Sequence, residues 1–160
     1  MASSVAPLRL RSLLYTPADR PERYTKAWRD GAADAVCADL EDAVAPAGKA
    51  AARKAVVAAL KEVPKAAYLR AVRVNAPGSP AHAADLDTIL PAGPDLIVVP
   101  KVASPEQVAP HVARIERDQG PAVRGRSEEG ARLGDAKADA RVVEHRAGEI
   151  AEVFPQKPRQ

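Results

Sequence analysis

The 160-residue chain is long enough for one domain with a hydrophobic core, and with 46% hydrophobic but only 3% aromatic residues that core must be built from Ala, Val, Leu and Ile. A net charge of +3, with both signs interspersed and few aromatics to stack on bases, argues against nucleic-acid binding. No 18-residue apolar run offers a membrane span, and the single cysteine, Cys37, excludes an internal disulfide framework and reads as a small buried hydrophobe. The first residues, MASSVAPLRLRS, lack an apolar signal core, so a cytoplasmic protein is expected.

Leu13, Leu14 and Tyr15 predict a first strand that stops at Thr16 and Pro17. Asp19 is placed to cap the following helix, with Pro21 in its first turn, Tyr24, Ala27 and Trp28 on one face and Gly31 as its stop. Ala35 to Ala38 predicts a second strand, which ends in the acids Asp39, Glu41 and Asp42. Three carboxylates this close must be paired, hydrogen-bonded or coordinating something, so this strand end is expected to face a polar pocket. A second helix follows Pro46 and runs to about Val63, with Ala52, Val56, Leu60 and Val63 inward and Lys49, Arg53, Lys54, Lys61 and Glu62 toward water.

Tyr68 to Val74 predicts a third strand whose arginines, Arg70 and Arg73, point to opposite faces. Asn75, Pro77, Gly78 and Ser79 form a turn, and Ser79-Pro80 is expected to open a third helix carrying Ala83, Leu86, Ile89 and Leu90 inward. Leu96 to Val99 is an uninterrupted apolar run suited to a parallel strand buried on both faces. Ser104, Pro105 and Gln107 open a fourth helix with Val108, Val112 and Ile115 on its apolar stripe. The fourfold βα alternation implies an α/β fold with parallel strands and right-handed crossovers. After Gly120 no strand-like apolar run is evident; one helix within 141–153 is expected in a mostly flexible tail.

In parallel α/β folds, ligands sit beyond the carboxyl ends of the strands. Those ends deliver Thr16 and the loop to Arg20, then Asp39, Glu41 and Asp42, then Arg73 and Asn75, then Lys101. Such a rim suits a carboxylate-bearing substrate, with Arg73 as a bidentate clamp and the acids able to hold a hard metal ion through waters. Each residue also has an ordinary structural role open to it, as a cap, a turn former or an internal ion pair.

Four stretches, RSLLYTPADRPERYTKA, DAVCADLEDAVAPAGKAAAR, LRAVRVNAPGSP and DLIVVPKVASPEQV, together resemble the citrate lyase beta-subunit-like branch of the HpcH/HpaI aldolase family, whose relatives include malyl-CoA and citramalyl-CoA lyases. The resemblance covers residues 9 to 117. It implies a (β/α)₈ barrel and Mg²⁺-dependent cleavage or formation of a carbon–carbon bond in a 3-hydroxyacyl-CoA ester or related 2-oxo acid. By that resemblance Arg73 binds the substrate carboxylate, Tyr15 and Thr16 meet the thioester part, Arg20 and Lys26 reach the CoA moiety, and Asp39, Glu41 and Asp42 line the site. The family's direct metal ligands, a Glu ending the fifth strand and an Asp ending the sixth, have no assigned counterpart; Glu128, Glu129, Asp135 and Asp139 follow no apolar strand.

The expected organisation is an N-terminal extension over 1–8, the N-terminal half of a TIM barrel over 9–120, and a divergent tail over 121–160. The expected partners are an acyl-CoA or carboxylate substrate and a homo-oligomeric or complementing chain, without nucleic acid or membrane. The alternatives are a catalytically inactive truncated or frame-shifted product, and a half-barrel module that needs a second chain.

Overall fold

A computed structural model describes residues 10–65, 68–102, 104–119, 123–126 and 141–145. Its elements run β1 (Leu13–Pro17), α1 (Pro21–Asp30), β2 (Ala35–Asp39), α2 (Lys49–Glu62), β3 (Leu69–Arg73), α3 (His82–Ile89), β4 (Leu96–Pro100), α4 (Pro105–Gln119), β5 (Val123–Arg126) and β6 (Arg141–His145). All strand pairs are parallel, in the order β1-β2-β3-β4-β6-β5. The α/β class and the four βα units thus follow the sequence pattern.

The two faces of the sheet differ because side chains alternate along a strand. Val36, Ala38, Val72, Ile97 and Val99 join a large core with Tyr24, Trp28, Val56, Leu60, Leu86, Ile89, Val112 and Ile115 of the helices. The other face is a smaller cluster of Ala35, Cys37, Ala71, Leu96 and Val98, with Leu13, Tyr15 and Leu69 against it. Trp28 anchors α1 to the sheet by donating its indole N–H to the Val36 carbonyl at 2.8 Å. Gly31 ends α1 with φ +66°, and a Cβ there would lie 2.9 Å from the Tyr68 ring, so both backbone and space require glycine.

Several local expectations are corrected. Asp19 does not cap α1; Arg20 holds that position without a side-chain bond, and the fixed φ of Pro21 starts the helix instead. Ser79 does not cap α3, which begins later at His82 because residues 79–81 are spent on a turn. Lys49 and Arg53 do not face water: Lys49 folds back onto the β2 loop, and Arg53 pairs with buried Asp85 at 2.9 Å.

The largest correction concerns the end of the chain. Residues 141–145 form a strand, not part of a helix, and a further strand lies at 123–126. Their apolar content is short and set among charges, so neither reads as a strand alone. β6 forms because β4 offers an unpaired row of N–H and C=O groups, and pairing satisfies both edges. Residues 127–140 and 146–160, the rest of the expected tail, and the 1–8 extension lie outside the described residues.

Candidate functional site

The site is built where β2, β3 and β4 end. Register places Asp39 opposite Arg73, and Arg73 opposite Val98. Arg73 donates from Nε to Asp39 Oδ1 at 2.8 Å and from Nη2 to Asp39 Oδ2 at 2.6 Å, a bidentate pair. Its Nη1 lies 3.3 Å from Glu41 Oε2, and Nη2 lies 3.7 Å from Asp42 Oδ2. The guanidinium sits over the Tyr15 ring, 5.0 Å from its centre. Asp39 holds Arg73 firmly in its charged form, raising its pKa above the ordinary arginine value. Burial, followed by the nearby Cys37, pushes the Tyr15 hydroxyl up, so it stays protonated.

Lys101 completes the network from β4, with Nζ 2.9 Å from Glu41 Oε1 and 3.5 Å from Asp42 Oδ1. The interaction with Glu41 raises its pKa. Lys101 has φ +56°, a left-handed conformation uncommon for a residue with a side chain. Glu41 is buried, and neither carboxylate oxygen has a hydrogen bond of good geometry; its two cations hold it by charge. The loop is fixed from within, because the Glu41 N–H donates to Asp39 Oδ1 at 2.9 Å and the Leu40 N–H to the Arg73 carbonyl at 2.9 Å.

Of the positions expected at the site, Tyr15, Asp39, Glu41, Asp42 and Arg73 come together, and Lys101 joins them. Thr16 is buried and its hydroxyl donates to the Cys37 carbonyl at 3.3 Å. Arg20 is exposed in the β1–α1 loop beside Asp19. Lys26 is exposed on α1 and pairs with Asp30 one helical turn away. Cys37 is buried, which pushes its thiol up and leaves it inert.

Sequence reasoning missed two features. Behind the rim, Lys49, Asn75, Asp85 and Arg53 form one polar network. An ammonium among alanines carries no signal of the carbonyls it will reach. The second is β6 itself, which backbone register sets beside β4 with Glu144 opposite Val99, a residue of the helix-side core and not of the Arg73 face. Its sequence signal is weak: Val142-Val143 followed by an acid repeats, in shorter form, the apolar-then-acid pattern that ends at Asp39.

The sequence profile of the HpcH/HpaI aldolase/citrate lyase family matches residues 11–147, a span that includes β5 and β6. The chain belongs to this family. A citrate lyase subunit beta-like protein of Mycobacterium tuberculosis is 43% identical over 95 residues, which are 59% of this chain and 33% of that one. A (3S)-malyl-CoA thioesterase of Cereibacter sphaeroides is 40% identical over 93 residues, covering 58% and 32%. The chain therefore spans about a third of the length of these relatives. Among solved structures, a citrate lyase beta subunit from M. tuberculosis with oxaloacetate and magnesium superposes with a TM-score of 0.53 at 40% identity, covering 64% of this chain and 44% of that one. Another, from the same organism with magnesium, acetoacetate and coenzyme A, gives 0.51 at 41% identity, covering 62% and 35%.

Magnesium thus belongs to solved relatives in this family. Here the acids Asp39 and Glu41 are already neutralised by Arg73 and Lys101, and no three His, Cys, Asp or Glu side chains group as metal ligands among the described residues. The described side chains do not by themselves fit a direct Mg²⁺ centre, which needs near-octahedral oxygen ligation. No helix among the described residues is long and apolar enough to cross a membrane.

Proposed function

We propose that this rim recognises the carboxylate of a 3-hydroxyacyl-CoA or a related 2-oxo acid, as the recognition part of a carbon–carbon lyase site of the citrate lyase beta-subunit and CoA ester lyase type. One observation carries the reading: Asp39 holds two donors of Arg73, while its Nη1 faces Glu41 outside hydrogen-bond geometry. A guanidinium plane fixed by Asp39, whose Nη1 meets Glu41 by charge alone, is suited to exchange that contact for a planar carboxylate. Oxaloacetate and acetoacetate, bound by the solved relatives, both carry that group.

In this reading Asp39 orients Arg73, Tyr15 closes its lower face and excludes water, and Lys101 draws Glu41 aside. Arg20 and Lys26, both exposed on the β1–α1 side, supply positive charge for the phosphates of CoA. Thr16 shapes the floor, since its hydroxyl is spent on the Cys37 carbonyl. The half-barrel reading of β1 to β4 and the cytoplasmic setting belong to the same proposal. The described carboxylates do not make a magnesium site, so its ligands come from residues beyond those described, in this chain or in a second subunit.

The test is calorimetric titration of the chain with oxaloacetate, alongside an assay with malyl-, citramalyl- and citryl-CoA plus Mg²⁺. Oxaloacetate binding that Arg73→Ala abolishes, without substantial turnover by the isolated chain, is the expected result. Binding unchanged by Arg73→Ala would remove the proposal.

A further inference from the structure

Lys49 opens α2, and its ammonium is half-buried behind the rim rather than in solvent. Nζ donates to the Leu40 carbonyl at 2.7 Å, the Glu41 carbonyl at 2.7 Å and Asn75 Oδ1 at 2.6 Å. A lysine ammonium has three N–H donors and no acceptor, so these contacts match its capacity. Two of the acceptors are the consecutive carbonyls that lead into and out of the Glu41 backbone. The third is equally constrained. Asn75 donates its backbone N–H and its side-chain amide to Asp85 Oδ2 at 2.7 and 2.6 Å, and its carbonyl meets His82 Nδ1 at 2.6 Å. Asp85 is fully buried and pairs with Arg53, one helical turn beyond Lys49 on α2. The β2 loop is therefore tied through Lys49 and Asn75 to a buried anchor on α3.

We propose that Lys49 is a positioning residue: it touches no ligand, but by fixing the Leu40 and Glu41 carbonyls it sets where the Glu41 carboxylate stands between Arg73 and Lys101. This deepens the carboxylate-site reading and rests on it. The geometry explains a feature of the rim that charge alone does not. Glu41 is held by its two cations without a well-aligned hydrogen bond, so where its carboxylate can meet them depends on where the backbone sets the residue. That backbone is held at its N–H groups by Asp39 and the Arg73 carbonyl, and at its carbonyls by Lys49. Without Lys49, two buried carbonyls and the Asn75 amide oxygen lose their donor, and the loop must move to let water reach them.

The experiment uses the full chain with Lys49→Met, Lys49→Gln as a milder variant that keeps two donors, and Lys61→Met on the same helix as a reference. Two signals are read in the ligand-free protein by NMR: the Arg73 Nε–H resonance and hydrogen exchange at the Glu41 amide. Oxaloacetate affinity is read by calorimetry. Lys49→Met is expected to shift the Arg73 resonance, speed Glu41 exchange about tenfold and weaken oxaloacetate about tenfold, the size of one coupling between neighbours. Lys49→Gln should fall between it and wild type, and Lys61→Met should match wild type. If Lys49→Met does not fold, Lys49→Gln carries the same readouts. Unchanged Arg73 and Glu41 signals in a folded variant would overturn the inference, leaving Lys49 a support for α2 alone. If the wild-type chain fails to bind oxaloacetate, the carboxylate reading falls, while the two ligand-free signals still decide the role of Lys49.

Discussion

Two arginines on β3 stand three residues apart and live in opposite chemical worlds. Arg70 lies on the helix side, where Asp95 takes Nε at 2.7 Å and Nη2 at 3.0 Å. Its other donors end on the carbonyls of Leu60, Val63 and Gly93. All five N–H groups are spent, three of them on the chain ends that close α2 and lead into β4. Arg73 lies on the other face, beyond the small cluster of Ala71 and Cys37, and its named partners are an aromatic ring and three acids. The difference teaches how to tell a structural arginine from a functional one. A guanidinium whose five donors are all hydrogen-bonded holds the fold, and one whose Nη1 meets its acid by charge alone has a donor to offer a ligand.

The comparison breaks most readily at Arg70. Arg70→Leu leaves buried Asp95 with only the exposed Lys65, 3.7 Å away, and frees three carbonyls, so about 3–5 kcal/mol of stability should be lost, read from urea denaturation. A loss under about 1 kcal/mol would show that Arg70 is no more structural than an exposed ion pair. At Arg73 the balance should invert. Arg73→Lys keeps the charge but not the fork, and should weaken oxaloacetate about tenfold or more while the urea midpoint moves less than in Arg70→Leu. Equal losses of stability at the two sites would erase the distinction.

The helix side can be sharpened by pH. His111 on α4 lies 3.3 Å from His82 on α3, Nδ1 to Nε2, and burial, followed by the charge of His82, holds its pKa below the ordinary histidine value. On acidification the unfolded chain binds this proton first, so stability is full above the ordinary histidine value and is lost as pH falls from there through the lower value of the folded state. Urea midpoints from pH 8 to 5 should show this fall, and His111→Gln should flatten it. The smallest effect is expected at Lys26, exposed beside Asp30. Lys26→Ala should leave the urea midpoint unchanged, and only affinity for a CoA ester, not for oxaloacetate, should drop.

Much of the fold was legible in the chain. The Leu96–Pro100 run could only be a doubly buried strand, and the acids after Cys37 marked a strand end that needed cations. The opposed faces of Arg70 and Arg73 followed from the period of a strand. Less legible were features that depend on distant partners. Lys49 and Arg53 read as solvent residues by helical phase, yet both turn to a polar anchor that Asn75 and Asp85 provide. The weak Val142-Val143 signal became a strand only because β4 had an edge to fill. Capping at Asp19 and Ser79 failed because proline φ and a preceding turn set those helix starts instead.

By itself, then, the sequence determined the βα rhythm, the family and the gathering of charge at one end of the strands, since these rest on local periodicity and on residues near one another in the chain. The tertiary structure decided which charges meet. Arg73 finds Asp39 across 34 residues and Arg70 finds Asp95 across 25, and only the parallel register of β2, β3 and β4 brings each pair within hydrogen-bond reach. Hydrogen bonds and ion pairs are short-range and directional, so their partners are settled only after the sheet has fixed the distances.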